Sequence, residues 1–153
     1  MIPTFRAWGV ERYPGLKQPA PKMHRNVSVV TTYPEGITFV LTDFNMWGDD
    51  EYSGSIIDDA ILMQSTGLFD KKGVEIFEGD VISTYTDNLV IKRDNLLGFY
   101  VEYAEYVEVD EKRNYFAETV DIEYLDLFAK DFGVAVEVLG NIYENAEMVR
   151  EVK

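Results

Sequence analysis

Apolar and polar residues alternate along much of this chain with the period of two that puts successive side chains on opposite faces of a strand. The pattern is clearest over residues 99–109. There Phe99, Val101, Tyr103, Val107 and Val109 fall on one face and Tyr100, Glu102, Tyr106 and Glu108 on the other, and only Glu105 interrupts the apolar side. After the charged stretch Asp110-Glu-Lys-Arg-Asn114, the residues Phe116, Val120, Ile122 and Tyr124 alternate again. The spacing therefore predicts a long antiparallel hairpin from Gly98 to Tyr124 with an exposed tip. A helical pattern overlaps its end: Leu125, Phe128 and Phe132 are spaced by three and four, as on one face of a short helix over residues 123–132 that stops before Gly133. Val134, Val136 and Val138 predict a final strand before Gly140, and Asn145 is placed to cap a last helical turn over residues 146–149.

Glycine and proline punctuate the rest. Gly9, Pro14, Gly15, Pro19 and Pro21 exclude helix between Gly9 and Lys22 and predict an extended surface loop there. Two β-branched runs, residues 27–33 and 37–42, flank Pro34-Glu-Gly36 and predict a hairpin. Residues 45–55 are polar and contain Gly48 and Gly54, so they read as a loop that joins an N-terminal lobe to the remainder. A strand is expected over residues 56–64. Then Gly67-Leu-Phe-Asp-Lys-Lys-Gly73 supplies turn chemistry, with Asp70 placed to cap its own turn and Gly73 to take a positive φ. Residues 74–77, the Glu78-Gly-Asp80 turn and residues 81–86 read as strand, tight turn, strand.

Composition narrows the class. With 153 residues, 10 Tyr, 9 Phe and 2 Trp, the chain has enough apolar bulk for one domain with a full core. It holds no Cys, which removes disulfides and thiolate metal sites and fits a reducing cytoplasm. Its opening Met1-Ile-Pro-Thr-Phe-Arg lacks the basic and apolar segments of a signal peptide. No window approaches the roughly 18 apolar residues of a membrane span. Net charge is −14 and is unevenly placed: five basic against three acidic residues make residues 1–48 net +2, which leaves −16 for residues 49–153. An acidic surface of that size repels phosphate backbones and argues against bulk nucleic-acid binding.

Candidate chemistry is sparse. His24 is the sole histidine, so a Ser-His-Asp triad or a His-rich metal site is not available, and the side chain is expected to be solvent-exposed and without a task. Asp49-Asp-Glu51 and Asp58-Asp59 offer the hard oxygen ligands that Mg²⁺ or Ca²⁺ takes. Neither follows the alternating spacing of a calcium loop, and adjacent strand residues point to opposite faces. No Gly-x-Gly-x-x-Gly or Walker pattern appears. Tyr100 and Tyr106 have the stacking surface that binds bases, but Glu102, Glu105 and Glu108 beside them oppose a nucleic-acid backbone and favour a protein partner. No catalytic, cofactor-binding or metal-binding residue is assigned, and no cofactor is expected.

Several of these stretches resemble one family, the YopX-like proteins of phages and prophages. The opening Ile2-Pro-Thr-Phe-Arg-Ala-Trp8 is similar to the family's start, with Met23 where it usually carries a Met. The stretch from Ile61 to Val81, which includes Gly-Leu-Phe-Asp-Lys-Lys-Gly and Phe-Glu-Gly-Asp, resembles its signature, and Val138-Leu-Gly-Asn-Ile-Tyr-Glu-Asn-Ala-Glu-Met-Val149 its C-terminal motif. Residues 9–22 look like an insertion, and Ala146 replaces a common Pro. The resemblance implies a single YopX-like domain: an N-terminal β lobe over about residues 1–55, an SH3-like β-barrel over about residues 56–145 entered through the Glu78-Gly-Asp80 turn, and a short C-terminal tail. It implies no activity.

Gly67, Gly73, Gly79 and Gly140 sit where a small barrel turns its corners, and Asp70, Asp80 and Asn141 are suited to bind free amides there. The reading is a mainly β fold with one or two short helices and a non-enzymatic protein-interaction or assembly module in the cytoplasm of a bacterial host. Its alternatives are a carboxylate-dependent hydrolase using Asp58 and Asp59, and an acidic mimic of DNA that blocks a host protein. The protein partner is unknown, and a homo-oligomer formed through the hairpin from Gly98 to Tyr124 is expected because its aromatics and edges need cover.

Overall fold

In a computed structural model, the structure describes residues 4–12, 19–25, 27–31, 34, 36, 38–47, 51–84, 87–107, 112–133 and 135–148. The chain divides into two units, Met1–Gln64 and Ser65–Lys153. Twelve strands, one α-helix and one 3-10 turn make up the described residues, so the protein is mainly β.

The first unit is one antiparallel sheet of β1 (Phe5–Glu11), β2 (Lys22–His24), β3 (Val27–Thr31), β4 (Thr38–Trp47) and the part of β5 (Glu51–Phe69) up to Gln64, in the order β2-β1-β5-β4-β3. β3 and β4 form the hairpin expected around Pro34-Glu-Gly36, with Val29 opposite Val40. Ala7, Leu41, Ile57 and Met63 are buried in this unit. Two loop expectations are corrected here. Gly9, Val10 and Glu11 belong to β1 and Lys22 opens β2, so the extended loop expected between Gly9 and Lys22 is shorter, and residues 13–18 lie outside the described residues. The loop expected over residues 45–55 is instead the continuation of β4 through Trp47 and of β5 from Glu51, with Met46 opposite Tyr52 and Asn45 opposite Ser53. Each strand supplies the other's ladder partners, which outweighs the breaking tendency of an isolated Gly54.

At the centre of this sheet β1 and β5 slip register. Trp8 pairs with Ile61 and Val10 with Asp58, so Gly9 faces two residues, Asp59 and Ala60, across a β-bulge. Asp59 takes φ 53°, the one described non-glycine residue in the left-handed region. Only a glycine fits opposite, because a Cβ at Gly9 would lie 2.7 Å from Ile57 Cγ2 and 2.8 Å from Asp58 O.

The second unit contains the end of β5, β6 (Glu75–Phe77), β7 (Asp80–Ser83), β8 (Asn88–Val90), β9 (Lys92–Asp94), β10 (Gly98–Val107), β11 (Lys112–Thr119), α1 (Ile122–Phe132) and β12 (Glu137–Asn141), with a 3-10 turn at Ala146–Met148. Its strands form two three-stranded sheets, β11-β10-β9 and β12-β7-β8, and β6 pairs with β5. Ile91 alone separates β8 from β9. Its amide donates to Asp80 O at 2.9 Å and its carbonyl accepts from Gly79 N at 2.8 Å, so the chain passes from one sheet to the other at a fully tied, buried residue. Gly79 makes the preceding turn at φ 86°. The core is Ile76, Ile82, Ile91, Val101, Val120 and Val136. These sheets are open and no barrel closes among the described residues, so the expected SH3-like barrel reduces here to a mainly β arrangement.

The predicted hairpin is present as β10 and β11, with Tyr103 opposite Phe116 and Val101 opposite Glu118. It ends at Thr119 and does not reach Tyr124. Asp121 stops it: the side chain accepts from Tyr124 N at 2.7 Å and caps α1, whose Tyr124, Leu125 and Phe128 pack on the core. Gly133 ends the helix, as the period of three and four had predicted. Asn145 precedes the 3-10 turn but does not cap it with its side chain, because Oδ1 accepts from Asn141 N at 3.2 Å and the Asn145 carbonyl accepts from Met148 N.

Candidate functional site

His24 is 5% exposed, which corrects the expectation of a solvent-exposed side chain. It stands opposite Ala7 in the β1–β2 ladder and so shares the inward face of that fully buried residue, and its Nε2 lies 3.2 Å from Gly9 O, positioned to donate to it. Asp58 is engaged by Arg12: Nη2 donates to Oδ1 at 2.6 Å and Nε lies 3.1 Å from Oδ2. The hydrogen bonds from Arg12 hold the Asp58 carboxyl below its ordinary value. Asp59 is exposed beside it, at φ 53°. Asp49 and Asp50 lie outside the described residues, as do the side chains of Glu51 and Tyr106, whereas Tyr100 is half-buried on β10. No group of three or more His, Cys, Asp or Glu suited to a metal ion occurs among the described residues.

The polar residues of the signature stretches hold the second unit's corners. Asp70 is 8% exposed; its Oδ1 accepts from Lys72 N at 2.9 Å and Val74 N at 2.8 Å, and its Oδ2 from Val138 N at 2.9 Å. One carboxylate thus closes its own turn and fastens that turn to β12. Burial pushes its carboxyl up, but the amides of Val138, Val74 and Lys72, together with the Lys72 charge, outweigh burial and hold it below its ordinary value. Lys71 and Lys72 reach Glu137 on β12 at 3.3 and 2.6 Å and reinforce the same junction. Asp80 Oδ2 accepts from Phe77 N at 2.7 Å, and Asn141 Oδ1 from Tyr143 N and Glu144 N at 3.0 and 2.8 Å.

Two exposed features remain. The first is a groove of about 380 Å³ between α1 and the end of β5, floored by Leu68, Leu125, Ala129 and Val136 and bordered by Lys71 and Asp126. Phe69 and Ile122 line it while 57% and 66% exposed. Its helical side was partly visible in the chain, since Ile122, Leu125 and Ala129 recur at helical spacing; its strand side was hidden, because Leu68 and Phe69 read only as part of a turn. The second is β11, which pairs only with β10 among the described residues and carries exposed Tyr115 and Phe116. Phe116 stacks on Tyr103 with ring centroids 5.4 Å apart.

A five-stranded antiparallel unit, followed by a unit of short open sheets with one helix and buried Asp and Asn corners, defines a mainly β protein whose signature residues serve its turns. The chain belongs to the YopX family: the family model described as YopX protein matches residues 4–150. It is similar to the crystal structure of protein EF1440 from Enterococcus faecalis, at 27% identity and a TM-score of 0.50, over 98% of this chain and 99% of that one. No curated protein matches the chain.

Proposed function

We propose that this protein is a non-enzymatic interaction or assembly module, acting in the cytoplasm of a bacterial host in a phage or prophage setting, and that the α1–β5 groove receives an apolar side chain of a protein partner. The observation that carries the reading is the exposure of Phe69 and Ile122 at a preformed apolar groove. An isolated domain gains nothing by leaving such side chains in water, whereas an interface places its binding energy in a few apolar anchors. The chain's net charge of −14 favours a neutral or basic partner. We read the second unit as SH3-like, a reading supported by the passage of the chain from β8 to β9, between two sheets, at Ile91.

Affinity capture from infected or lysogenic host cells, with wild type, Phe69→Ser and Ile122→Ser, tests the reading. Both side chains are exposed, so the variants are expected to melt like wild type. The expected result is a protein recovered by wild type and bound about tenfold or more weakly by either variant, the loss typical of an interface anchor. Equal recovery by all three proteins would refute the groove as the contact.

A further inference from the structure

We infer that β11 is a self-pairing edge at which a second copy of this chain adds its own β11 antiparallel, with Tyr115 on the two-fold axis. The inference rests on the edge strand and is independent of the α1–β5 groove. In the order β11-β10-β9, β11 has one neighbour among the described residues, so every second residue directs its amide and carbonyl outward. All of its described side chains, from Asn114 to Thr119, are exposed, with Tyr115 at 66% and Phe116 at 41%.

Edge strands that resist association carry charge in the middle, or charge of one sign throughout. β11 does neither: Asn114-Tyr-Phe-Ala117 is uncharged, Lys112 and Arg113 lie at one end, and Glu118 at the other. An edge with opposite charges at its two ends complements itself when reversed.

Symmetry then fixes the register. A two-fold axis that sets two copies of one strand side by side and antiparallel stands perpendicular to the sheet, so each residue keeps its face and one residue must oppose itself. With Tyr115 on the axis, Asn114 faces Phe116 and Lys112 faces Glu118, twice by symmetry. Within one chain, Lys112, Asn114, Phe116 and Glu118 pair with Val107, Glu105, Tyr103 and Val101 of β10, so all four belong to one face, as the register demands. On the opposite face two Tyr115 rings meet, and the most exposed of the hairpin's described aromatics is covered by its own copy. With Phe116 on the axis instead, Glu118 would face Asn114 and the charge match would be lost.

The test uses the full chain. Light scattering at micromolar concentration is expected to give twice the 17.6 kDa chain mass, or an even multiple of it. Lys112→Glu and Glu118→Lys each place like charges opposite one another and are expected to weaken association about threefold or more, and the double variant to restore it. Because the chain has no Cys, single cysteines report register directly. Under mild oxidation Tyr115→Cys is expected to cross-link to itself, whereas Phe116→Cys is expected to cross-link only when mixed with Asn114→Cys. A wild-type mass near 17.6 kDa at all concentrations tested would overturn the inference, as would an oligomer indifferent to the charge exchange whose Tyr115→Cys form does not cross-link.

Discussion

Replacing Asp70 removes three hydrogen bonds at once, which makes it the sharpest test of how the second unit is held. In Asp70→Ala the amides of Lys72, Val74 and Val138 lose their acceptor. A hydrogen bond to a charged group contributes about 1.5–3 kcal/mol. The three are not additive, because Lys72 and Val74 lie in an exposed turn where water replaces the carboxylate, whereas the Val138 amide sits in the half-buried start of β12. The expected cost is therefore about 3–4 kcal/mol, or roughly 10 °C in Tm for a chain of this length. Asp70→Asn keeps one acceptor oxygen for the turn amides but sets an NH₂ against Val138 N–H, and is expected to cost about 1–3 kcal/mol, the penalty of one unsatisfied donor.

The pH dependence gives a second reading. The folded carboxyl titrates below its ordinary 3.8, so its stabilisation is complete above that value and is lost as pH falls through the folded-state value. The difference between wild type and Asp70→Ala is therefore expected to be full at pH 7 and to narrow below about pH 4. Urea denaturation followed by far-UV circular dichroism measures both effects. Amide exchange at Val138 localises the change. An Asp70→Ala protein within 1 kcal/mol of wild type, with Val138 still protected, would refute the argument.

Three further outcomes are expected. Gly9→Ala should cost about 1–3 kcal/mol in chemical denaturation, because the new methyl meets Ile57 Cγ2 and the Asp58 carbonyl across the bulge; an unchanged midpoint would show that β1 and β5 part freely there. Gly79→Val should cost about 1–3 kcal/mol or more, since φ 86° is closed to β-branched residues, and a melting temperature within a degree or two of wild type would remove the turn from the framework. Tyr124 is pushed up to about 12 by burial, with Glu118 and Tyr103 adding to it, so Tyr124→Phe should delete a phenol that ionises above the ordinary tyrosine value in a spectrophotometric titration; loss of a component at the ordinary value would place the ring in water.

Much of the second unit was legible because its turns are written in local chemistry. Asp70 binds amides two and four residues ahead, Gly79 takes a positive φ, and Gly133 ends a helix whose apolar spacing is visible in the chain. What local chemistry does not carry was missed. Nothing near His24 announces burial; that follows from its pairing with Ala7 across residues 13–18. The polar stretch of residues 45–55 becomes strand because β4 and β5 lie side by side, and the groove forms because a helix 50 and more residues downstream of Leu68 covers the end of β5. Ile122 and Tyr124 satisfied both an alternating and a helical pattern, and the capping carboxylate of Asp121 decided between them.

The signature stretches and the exposed features make separate demands on the sequence. Asp70, Asp80 and Asn141 have the residue types of a catalytic constellation, yet their side-chain oxygens accept from main-chain amides within the second unit. These amides hold the Asp70 carboxyl below its ordinary value, and all three side chains fix a turn or a junction between strands. Phe69, Ile122, Tyr115 and Phe116 make the opposite bargain: they leave apolar area in water and contribute little to the core. Substitutions at the corner residues should therefore change folding and binding together, whereas substitutions at the exposed apolar residues should change association while leaving the melting temperature of the monomer in place. The two sets are separable by experiment.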